Sequence, residues 1–289
     1  MIKRFQVADV IMEVSTKNRY ILKHLEPFAS SLDGPADLKV DILAVKAIGI
    51  PDGERVVSED VTFIKRSPGG SGYFGYYETR QKIFAAIDAD AEWKNIKITY
   101  MNNVFPDKES NRGIHYFCTQ IAGAALTNHL LFKSGLVLHA SCILYDNKGI
   151  AFTAPSGTGK STHASLWEEH KPGTVVLNDD TPAIRLTGGK PIVYGTPWSG
   201  SRIKFKNASA PLSAIVILEQ AREENSITKV APVEAVKILM PRFILPYYER
   251  QLMDMAVKTL EGIIAEVPIY HLKCKPDAEA VELVYECVK

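Results

Sequence analysis

Apolar and polar positions follow two different periods along the chain. Residues 1–105 contain short apolar runs separated by turn-forming residues, a pattern that predicts β-strands. These runs cover residues 5–14, 38–45, 61–64, 83–87 and 96–100. From residue 115 to 132, apolar residues recur at helical spacing, which predicts a helix that ends at Ser134-Gly135.

The change of period marks a domain boundary. Residues 104–112 are polar and typical of an exposed connection. We predict a β-rich N-terminal domain of residues 1–105, which recognises a substrate or partner, and a second domain of residues 113–289. Residues 67–75, rich in Gly and Ser, predict a flexible hairpin connection or a mobile flap over a ligand.

The second domain alternates between strand and helix patterns. Apolar runs at 135–144 and 149–153 flank the turn Tyr145-Asp146-Asn147-Lys148 and predict a hairpin. Helices are predicted at 160–169, 249–265 and 276–287, and strands at 174–177, at several places up to 217, and at 269–273.

Composition and charge exclude several classes of protein. The 289 residues are 46% hydrophobic and 23% charged, which excludes disorder, collagen and coiled coil. The net charge of +1 lacks the basic excess that a nucleic-acid partner requires. No apolar run approaches the about 18 residues that cross a bilayer, and no signal peptide is recognisable. We therefore expect a soluble, cytoplasmic protein with no membrane partner and with reduced, mostly buried cysteines.

The main chemical signal lies between a predicted strand and a predicted helix. Residues 154–162, A-P-S-G-T-G-K-S-T, match G-x-x-x-x-G-K-[ST] except that Ala154 replaces the first glycine. Such a loop binds phosphates through its N–H groups and Lys160, while the Ser161 hydroxyl ligates Mg²⁺. The alternative is a Gly-rich turn that contains Gly-Lys-Ser by chance. The expected ATP-binding residues are Ser156, Gly157, Thr158, Gly159, Lys160, Ser161 and Thr162.

Two adjacent carboxylates, Asp179 and Asp180, follow the predicted strand 174–177. Neighbouring side chains of a strand point to opposite faces, so one carboxylate can face a metal while the other holds water or accepts a proton from the substrate. The alternative is a solvated turn that caps the strand.

His139 lies on a strand that we predict to pair with the strand entering the loop. The hairpin would bring it to the nucleotide site, where it would contact the γ-phosphate or tune an acidic neighbour; a core histidine is the alternative. The other histidines show no metal-binding spacing, and His163 and His170 are expected on a helix surface.

A basic and aromatic loop at residues 196–206 contains Arg202. Phosphoryl transfer spreads negative charge over the phosphate oxygens, and an arginine stabilises that charge. Arg202 is the candidate for this role; Lys204 is an alternative, as is a solvated basic hairpin without a role in catalysis.

Together these residues resemble the kinase domain of the HPr kinase/phosphorylase family, whose nucleotide fold is shared with the phosphoenolpyruvate carboxykinases. The segment 156–161 is similar to the S-G-x-G-K-[ST] core of both families. His139 precedes it in Leu-His-Ala-Ser, and the paired aspartates Asp179 and Asp180 follow. Ser165-Leu166-Trp167 is similar to uncharacterised relatives of HPr kinase. The likeness covers about residues 113–289, and the β-rich N-terminal third departs from the true HPr kinases.

The resemblance implies an α/β (α+β) fold, with a P-loop domain built on a mixed sheet flanked by helices. It implies ATP- and Mg²⁺-dependent phosphorylation of a hydroxyl, with a serine of a small protein or peptide as acceptor, and a homo-oligomer is possible. His139 would be the active-site histidine, Lys160 would bind phosphate and Ser161 the metal, while Asp179 and Asp180 would share metal binding and general-base work. Two alternatives are a carboxykinase-like enzyme acting on a small organic acid and a non-catalytic ATP-binding module that recognises a peptide.

Overall fold

The computed structural model describes residues 1–58, 61–65, 72–79, 82–102, 108–200 and 204–289. The described residues form six α-helices and two mixed β-sheets, so the expectation of an α/β protein is confirmed at this level. They divide into two compact units, Met1–Phe132 with Pro246–Arg250, and Lys133–Leu245 with Gln251–Lys289. None of the helices in these ranges combines the length and the apolar character needed to span a membrane.

The first unit is built on an eight-stranded sheet with the order β1-β2-β3-β8-β7-β6-β5-β4. Its strands are β1 (Ile2–Val7), β2 (Val10–Thr16), β3 (Leu38–Val45), β4 (Glu54–Ser58), β5 (Val61–Lys65), β6 (Tyr73–Thr79), β7 (Lys82–Ala89) and β8 (Asn95–Met101). Its helices are α1 (Arg19–Leu25) and α2 (Lys108–Leu131). The pairs β2–β3 and β3–β8 are parallel, and the other neighbours are antiparallel.

Alternating burial along the strands places the core of this unit. β3 buries Leu38, Val40 and Ile42 and exposes the residues between them. Helix α2 packs against β3 and β8, which places it in the first unit, whereas the sequence division assigns residues from 113 onward to the second domain. The predicted strand 5–14 is two strands, because Ala8 and Asp9, with φ of 51° and 55°, form a tight turn between β1 and β2.

The second unit contains a nine-stranded sheet. Its strands are β9 (Gly135–Val137), β10 (Ala140–Tyr145), β11 (Lys148–Thr153), β12 (Val175–Asn178), β13 (Ala183–Thr187), β14 (Lys190–Tyr194), β15 (Ser209–Gln220), β16 (Ser226–Lys229) and β17 (Ile269–Cys274). The remaining helices are α3 (Lys160–His170), α4 (Pro232–Leu239), α5 (Arg250–Glu266) and α6 (Ala278–Val288). The strand order is β12-β10-β11-β15-β14-β13-β9, with β17 paired to β15 and β16.

Three parallel strands and two helices form the main core of the second unit. β11, β15 and β17 run parallel, so their carboxyl ends lie at one edge of the sheet. Helix α3 packs against α6 and against β10, β11 and β12. The buried side chains that join them include Phe152, Trp167, Val216, Leu272 and Val284. This packing fixes the loop between β11 and α3 at the carboxyl edge.

The predicted hairpin is confirmed for β10 and β11, which pair from Ala140–Thr153 to Tyr145–Lys148. Asp146 and Asn147 have φ of 48° and 58°, the conformation that a two-residue hairpin turn requires. The predicted strand 135–144 is interrupted, however, because β9 pairs with β13 and Leu138 and His139 separate it from β10.

His163 lies in the core and not on the helix surface, so the sequence-based placement is wrong. It is 3% exposed, and Trp167 Nε1 donates a hydrogen bond to its Nε2 at 3.3 Å. An accepting Nε2 assigns the proton of a neutral imidazole to Nδ1. Burial lowers the pKa of His163 to about 4. The sequence pattern misled because the buried stripe of α3 contains Lys160 and His163 beside Ala164 and Trp167.

We expect acidification from pH 7 to pH 5 to destabilise the second unit through His163. The unfolded imidazole binds a proton near its ordinary pKa of 6.5 and the folded one only near 4, so the unfolded state takes up more protons over this range. The free energy of unfolding should fall by about 2 kcal/mol. Urea unfolding followed by tryptophan fluorescence at both pH values tests this.

His163→Gln should remove that pH dependence, whereas His170→Gln, on the same helix but only half-buried, should keep it. An equal pH dependence in the wild type and in His163→Gln would contradict the prediction.

Candidate active site

Two glycines shape the segment between β11 and α3. Gly157 and Gly159 have φ of 78° and 111°, values that strain any other residue. Gly159 is the N-cap of α3, and Lys160 is the first residue of the helix. The first N–H groups of a helix have no partner within the helix, and the helix dipole is positive at this end. The loop therefore offers backbone donors at the carboxyl edge of the sheet.

Ala154, the one departure from the loop motif, is fully buried and packs in the core cluster with Phe152 and Trp167. Its methyl group faces the core, so the replacement of glycine leaves the glycine-rich part of the loop unobstructed. Its carbonyl oxygen contributes to the site instead, as a partner of Lys160.

The side chain of Lys160 folds back onto the loop. Its Nζ donates to the carbonyl oxygens of Ala154 at 3.0 Å and Pro155 at 3.4 Å. Burial is the main cause that lowers the pKa of Lys160. The carboxylates of Asp180 and Asp179 counteract this shift. Among the described residues, the hydrogen bonds of this cation go to the two carbonyl oxygens, and the two carboxylates add a weaker electrostatic attraction.

Asn178, the last residue of β12, fixes the two aspartates that follow it. Its side chain is fully buried, and Nδ2 donates to the carbonyl oxygens of Thr196 at 3.0 Å and Trp198 at 2.8 Å. Its Oδ1 accepts the N–H groups of Asp180 at 2.9 Å and Thr181 at 2.7 Å. Because both the NH₂ group and the oxygen of this amide are hydrogen-bonded, they fix the backbone at the end of the strand. No sequence pattern indicates this role for Asn178, because an asparagine before a turn carries no specific signal.

The two carboxylates have different surroundings. Asp179 is 7% exposed, and the Ser141 hydroxyl donates to its Oδ1 at 2.7 Å. The side chain of Asp180 is 36% exposed, with its Oδ1 3.4 Å from His139 Nε2. One aspartate is therefore fixed by a buried hydrogen bond, and the other faces solvent beside an imidazole.

His139 lies in the break between β9 and β10, one residue before β10 begins. It was predicted within a continuous strand over residues 135–144. Its N–H donates to the carbonyl oxygen of Arg242 at 2.8 Å, and its own carbonyl accepts the Thr153 hydroxyl at 2.9 Å. These bonds hold the backbone of His139 at the end of β11, and its ring reaches Asp180.

Most of the predicted site residues meet around one cavity of about 370 Å³. It is lined by His139, Ser156, Gly157, Gly159, Lys160, Ser161, Thr162, Asp179, Asp180 and Gly200. Thr158 is the one member of the predicted loop set that lines a neighbouring cavity instead. The arrangement combines backbone donors, a lysine, a hydroxyl, two carboxylates and an imidazole.

Of the two basic residues considered for charge stabilisation, the structure describes Lys204. Arg202 lies outside the described residues, as do positions 67–71 of the glycine-rich segment. Lys204 pairs with Glu168 on α3 at 2.8 Å, and its carbonyl oxygen accepts the N–H of Asp179.

Arg242, which no sequence pattern indicated, brings a further cation to this region. Its positive charge contributes to the lowered pKa of Lys160. Its Nε is buried and has no hydrogen-bond partner among the described residues. A single arginine between α4 and α5 offers no spacing from which this position could have been predicted.

The donor atoms of the cavity suit a hard cation. Ser161, Asp179 and Asp180 offer oxygen ligands, the type that Mg²⁺ prefers. In the ranges that the structure describes, no group of three or more His, Cys, Asp and Glu side chains is arranged to hold a metal by itself. The residues therefore fit an ion that also takes ligands from a phosphate, as Mg²⁺ does in nucleotide sites.

Comparisons with known proteins show a distant structural likeness. No protein-family model matches the chain, and no curated protein matches its sequence. Among solved structures, the HPr(Ser) kinase/phosphatase from Coxiella burnetii matches at 13% identity, with a TM-score of 0.32. The match covers 52% of this chain and 95% of that one. At this level the likeness is structural and partial, and it carries no conclusion about activity.

We expect Asn178→Asp to destabilise the second unit, although the change is nearly isosteric. It replaces the Nδ2 donor by an oxygen that faces the carbonyl groups of Thr196 and Trp198, and both carbonyl groups lose this donor, although Trp198 keeps the Thr181 hydroxyl. The free energy of unfolding should fall by about 1–3 kcal/mol. Urea unfolding measures it, with Asn147→Asp in the exposed hairpin turn as the matched control. Equal stabilities of the two variants would show that the bonds of Asn178 contribute nothing.

Proposed function

We propose that this chain is a phosphotransferase that moves the γ-phosphate of ATP, with Mg²⁺, to the hydroxyl of a serine in a small protein or peptide. One observation carries the proposal: a lysine, a hydroxyl, two carboxylates and a histidine line the same cavity at the start of α3. A chance glycine-rich turn would not require these groups to converge. Each of them has a part in phosphoryl transfer.

The loop and Lys160 would bind the phosphates. Gly157 and Gly159 let the backbone approach an anion closely, and the positive end of α3 favours negative charge. Lys160 needs only to exchange its two carbonyl partners for phosphate oxygens, because it already lies at the cavity. Its charge would then stabilise the negative charge of the transferring group.

The two aspartates would have different roles, one in metal binding and one in proton transfer. Asp179, fixed by Ser141, is suited to hold a metal together with Ser161, because metal ligands are oriented by such hydrogen bonds. A bound Mg²⁺ would supply charge neutralisation for the phosphate oxygens. Asp180, more exposed and beside His139, is suited to accept the proton of the attacking hydroxyl. The serine oxygen then bonds to phosphorus, the bond from phosphorus to the ADP oxygen breaks, and the serine proton resides on Asp180.

The charge-stabilising arginine has two candidates. Arg202 retains this role as a prediction from the sequence. Arg242 is supported by its proximity to Lys160 and by its buried Nε without a protein partner in the described part of the chain. A guanidinium N–H without a partner would gain a charge-assisted hydrogen bond if it moved to an anionic ligand.

We expect Lys160→Met to reduce phosphate transfer by at least about 100-fold, because the substitution keeps the aliphatic stem and removes the charge at the phosphates. Mass spectrometry of HPr and of serine peptides incubated with ATP and Mg²⁺ measures the gain of one phosphate. Lys190→Met, at an exposed site, should transfer as the wild type does. Transfer by Lys160→Met at the wild-type rate would refute the loop assignment.

The same assay distinguishes the two alternatives. Mg²⁺-dependent ATP binding in calorimetry without transfer to any acceptor would favour the peptide-recognition module. Transfer to a small organic acid in place of a serine would favour a carboxykinase-like enzyme.

Asp180→Asn should lower kcat by about 10²- to 10⁴-fold while ATP binding persists, because it removes the proton acceptor. Asp179→Asn should instead raise the Mg²⁺ concentration that gives half-maximal rate, because it weakens a metal ligand. Steady-state kinetics against Mg²⁺ separates the two effects, with Asp146→Asn in the exposed turn as control. Wild-type kinetics in both variants would remove the aspartates from the mechanism.

A further inference from the structure

A second cavity, of about 360 Å³, lies beside the first. Both cavities are lined by Gly157, Gly159 and Thr162, so they adjoin across the loop at the start of α3. Thr158 and residues of β15 and β17 line the second cavity and not the first. Lys160, the two aspartates and His139 line the first cavity and not the second. Its volume is within the range of about 300–1,000 Å³ that is usual for small-molecule sites.

The strand topology explains why a cavity forms here. β11, β15 and β17 are parallel, and the ends of β15 and β17, Gln220 and Cys274, are paired residues. In open α/β sheets, ligands bind outside the carboxyl ends of the strands. The loop that follows β11 and the two neighbouring strand ends therefore form one continuous binding edge.

The lining of the second cavity differs chemically from that of the first. Its apolar side chains are Leu166, Leu218, Ala221, Cys274 and Pro276. Its other side chains are polar and belong to Thr158, Thr162, His163, Glu219, Gln220 and Lys275. The carboxylate of Glu219 pairs with His271 at 2.9 Å and with Lys273 at 3.3 Å, so Gln220 is the β15 residue that is available to a ligand. Gln220 Nε2 donates to the carbonyl oxygen of Thr158 at 3.3 Å, which leaves its amide oxygen as an acceptor. Apolar walls with a few acceptors suit a flat heterocycle joined to a sugar with hydroxyl groups.

We propose that the second cavity binds the nucleoside of the nucleotide whose phosphates occupy the first. This inference rests on the proposed function, because it assumes that the loop between the cavities binds phosphates. The shared glycines allow one ligand to extend across the loop. Leu166 and Leu218 would then contact the base, while the amide oxygen of Gln220 would accept a hydrogen bond from the sugar.

Cys274 provides a direct probe of this cavity. It lines the cavity and is partly exposed, and burial raises the pKa of its thiol to about 11. Cys287, on α6, is also partly exposed but lines neither cavity, whereas Cys118 and Cys142 are buried. The chain therefore contains its own reference thiol for alkylation.

The experiment compares alkylation of Cys274 and Cys287 in the full chain by N-ethylmaleimide at pH 8.5, read by peptide mass spectrometry. MgATP at ten times its Kd should slow labelling of Cys274 by about tenfold by mass action. Magnesium tripolyphosphate, which lacks a nucleoside, should bind in calorimetry without protecting Cys274. Cys287 should react at one rate throughout.

Three outcomes separate the two proposals. Protection by MgATP alone supports the nucleoside site. Lys160-dependent binding of MgATP without protection, or equal protection by tripolyphosphate, overturns the nucleoside site and leaves the proposed function in place. Binding of neither compound overturns the proposed function, and the nucleoside site with it.

A second variant tests the inference without relying on thiol reactivity. Ala221→Tyr should fill the cavity and raise the Kd for MgATP by about tenfold, while the affinity for tripolyphosphate stays within about twofold of the wild type. Arg222→Tyr, at the adjacent position outside the cavity, is the matched control. An unchanged affinity of Ala221→Tyr for MgATP would overturn the inference.

Discussion

The side-chain amide of Asn178 is the interaction on which the arrangement of the site depends. It is fully buried, and it joins the end of β12 to the segment at Thr196 and Trp198. Both aspartates follow directly, so their backbone positions depend on bonds made by a residue that offers no reactive group itself. The cost of leaving a buried amide unsatisfied favours one conformation here and disfavours the others.

The sheet brings together residues that are far apart in sequence. His139 precedes β10, the loop follows β11, and Asp179 and Asp180 follow β12. β11 and β12 both flank β10, so the two segments that follow them are separated by one strand. Parallel pairing of β11 with β15 and of β15 with β17 adds two more strand ends on the other side. A strongly polar cavity and a less polar one thus adjoin at a single loop.

The features that depend on local sequence patterns were predictable, and the features that depend on contacts between distant segments were not. The strand–loop–helix around Lys160, the β10–β11 hairpin and the position of Asp179 and Asp180 all follow from short patterns of glycine, turn residues and apolar runs. The break at His139 depends on β9 pairing with β13, whose residues lie 46 to 50 positions further along the chain than their partners. Arg242 reaches the site only through the tertiary fold, so its residue type alone could not reveal it.

In this structure the carbonyl oxygens of the loop occupy Lys160, and they would compete with any anion for its ammonium group. Nζ is already bonded to the carbonyl oxygens of Ala154 and Pro155, so an incoming anion must displace these neutral acceptors and not water alone. A weakly charged ion gains little from that exchange, whereas a polyanion that also engages the N-terminus of α3 gains several interactions at once. If the loop binds anions as proposed, these internal bonds would favour a polyanion over a singly charged ion.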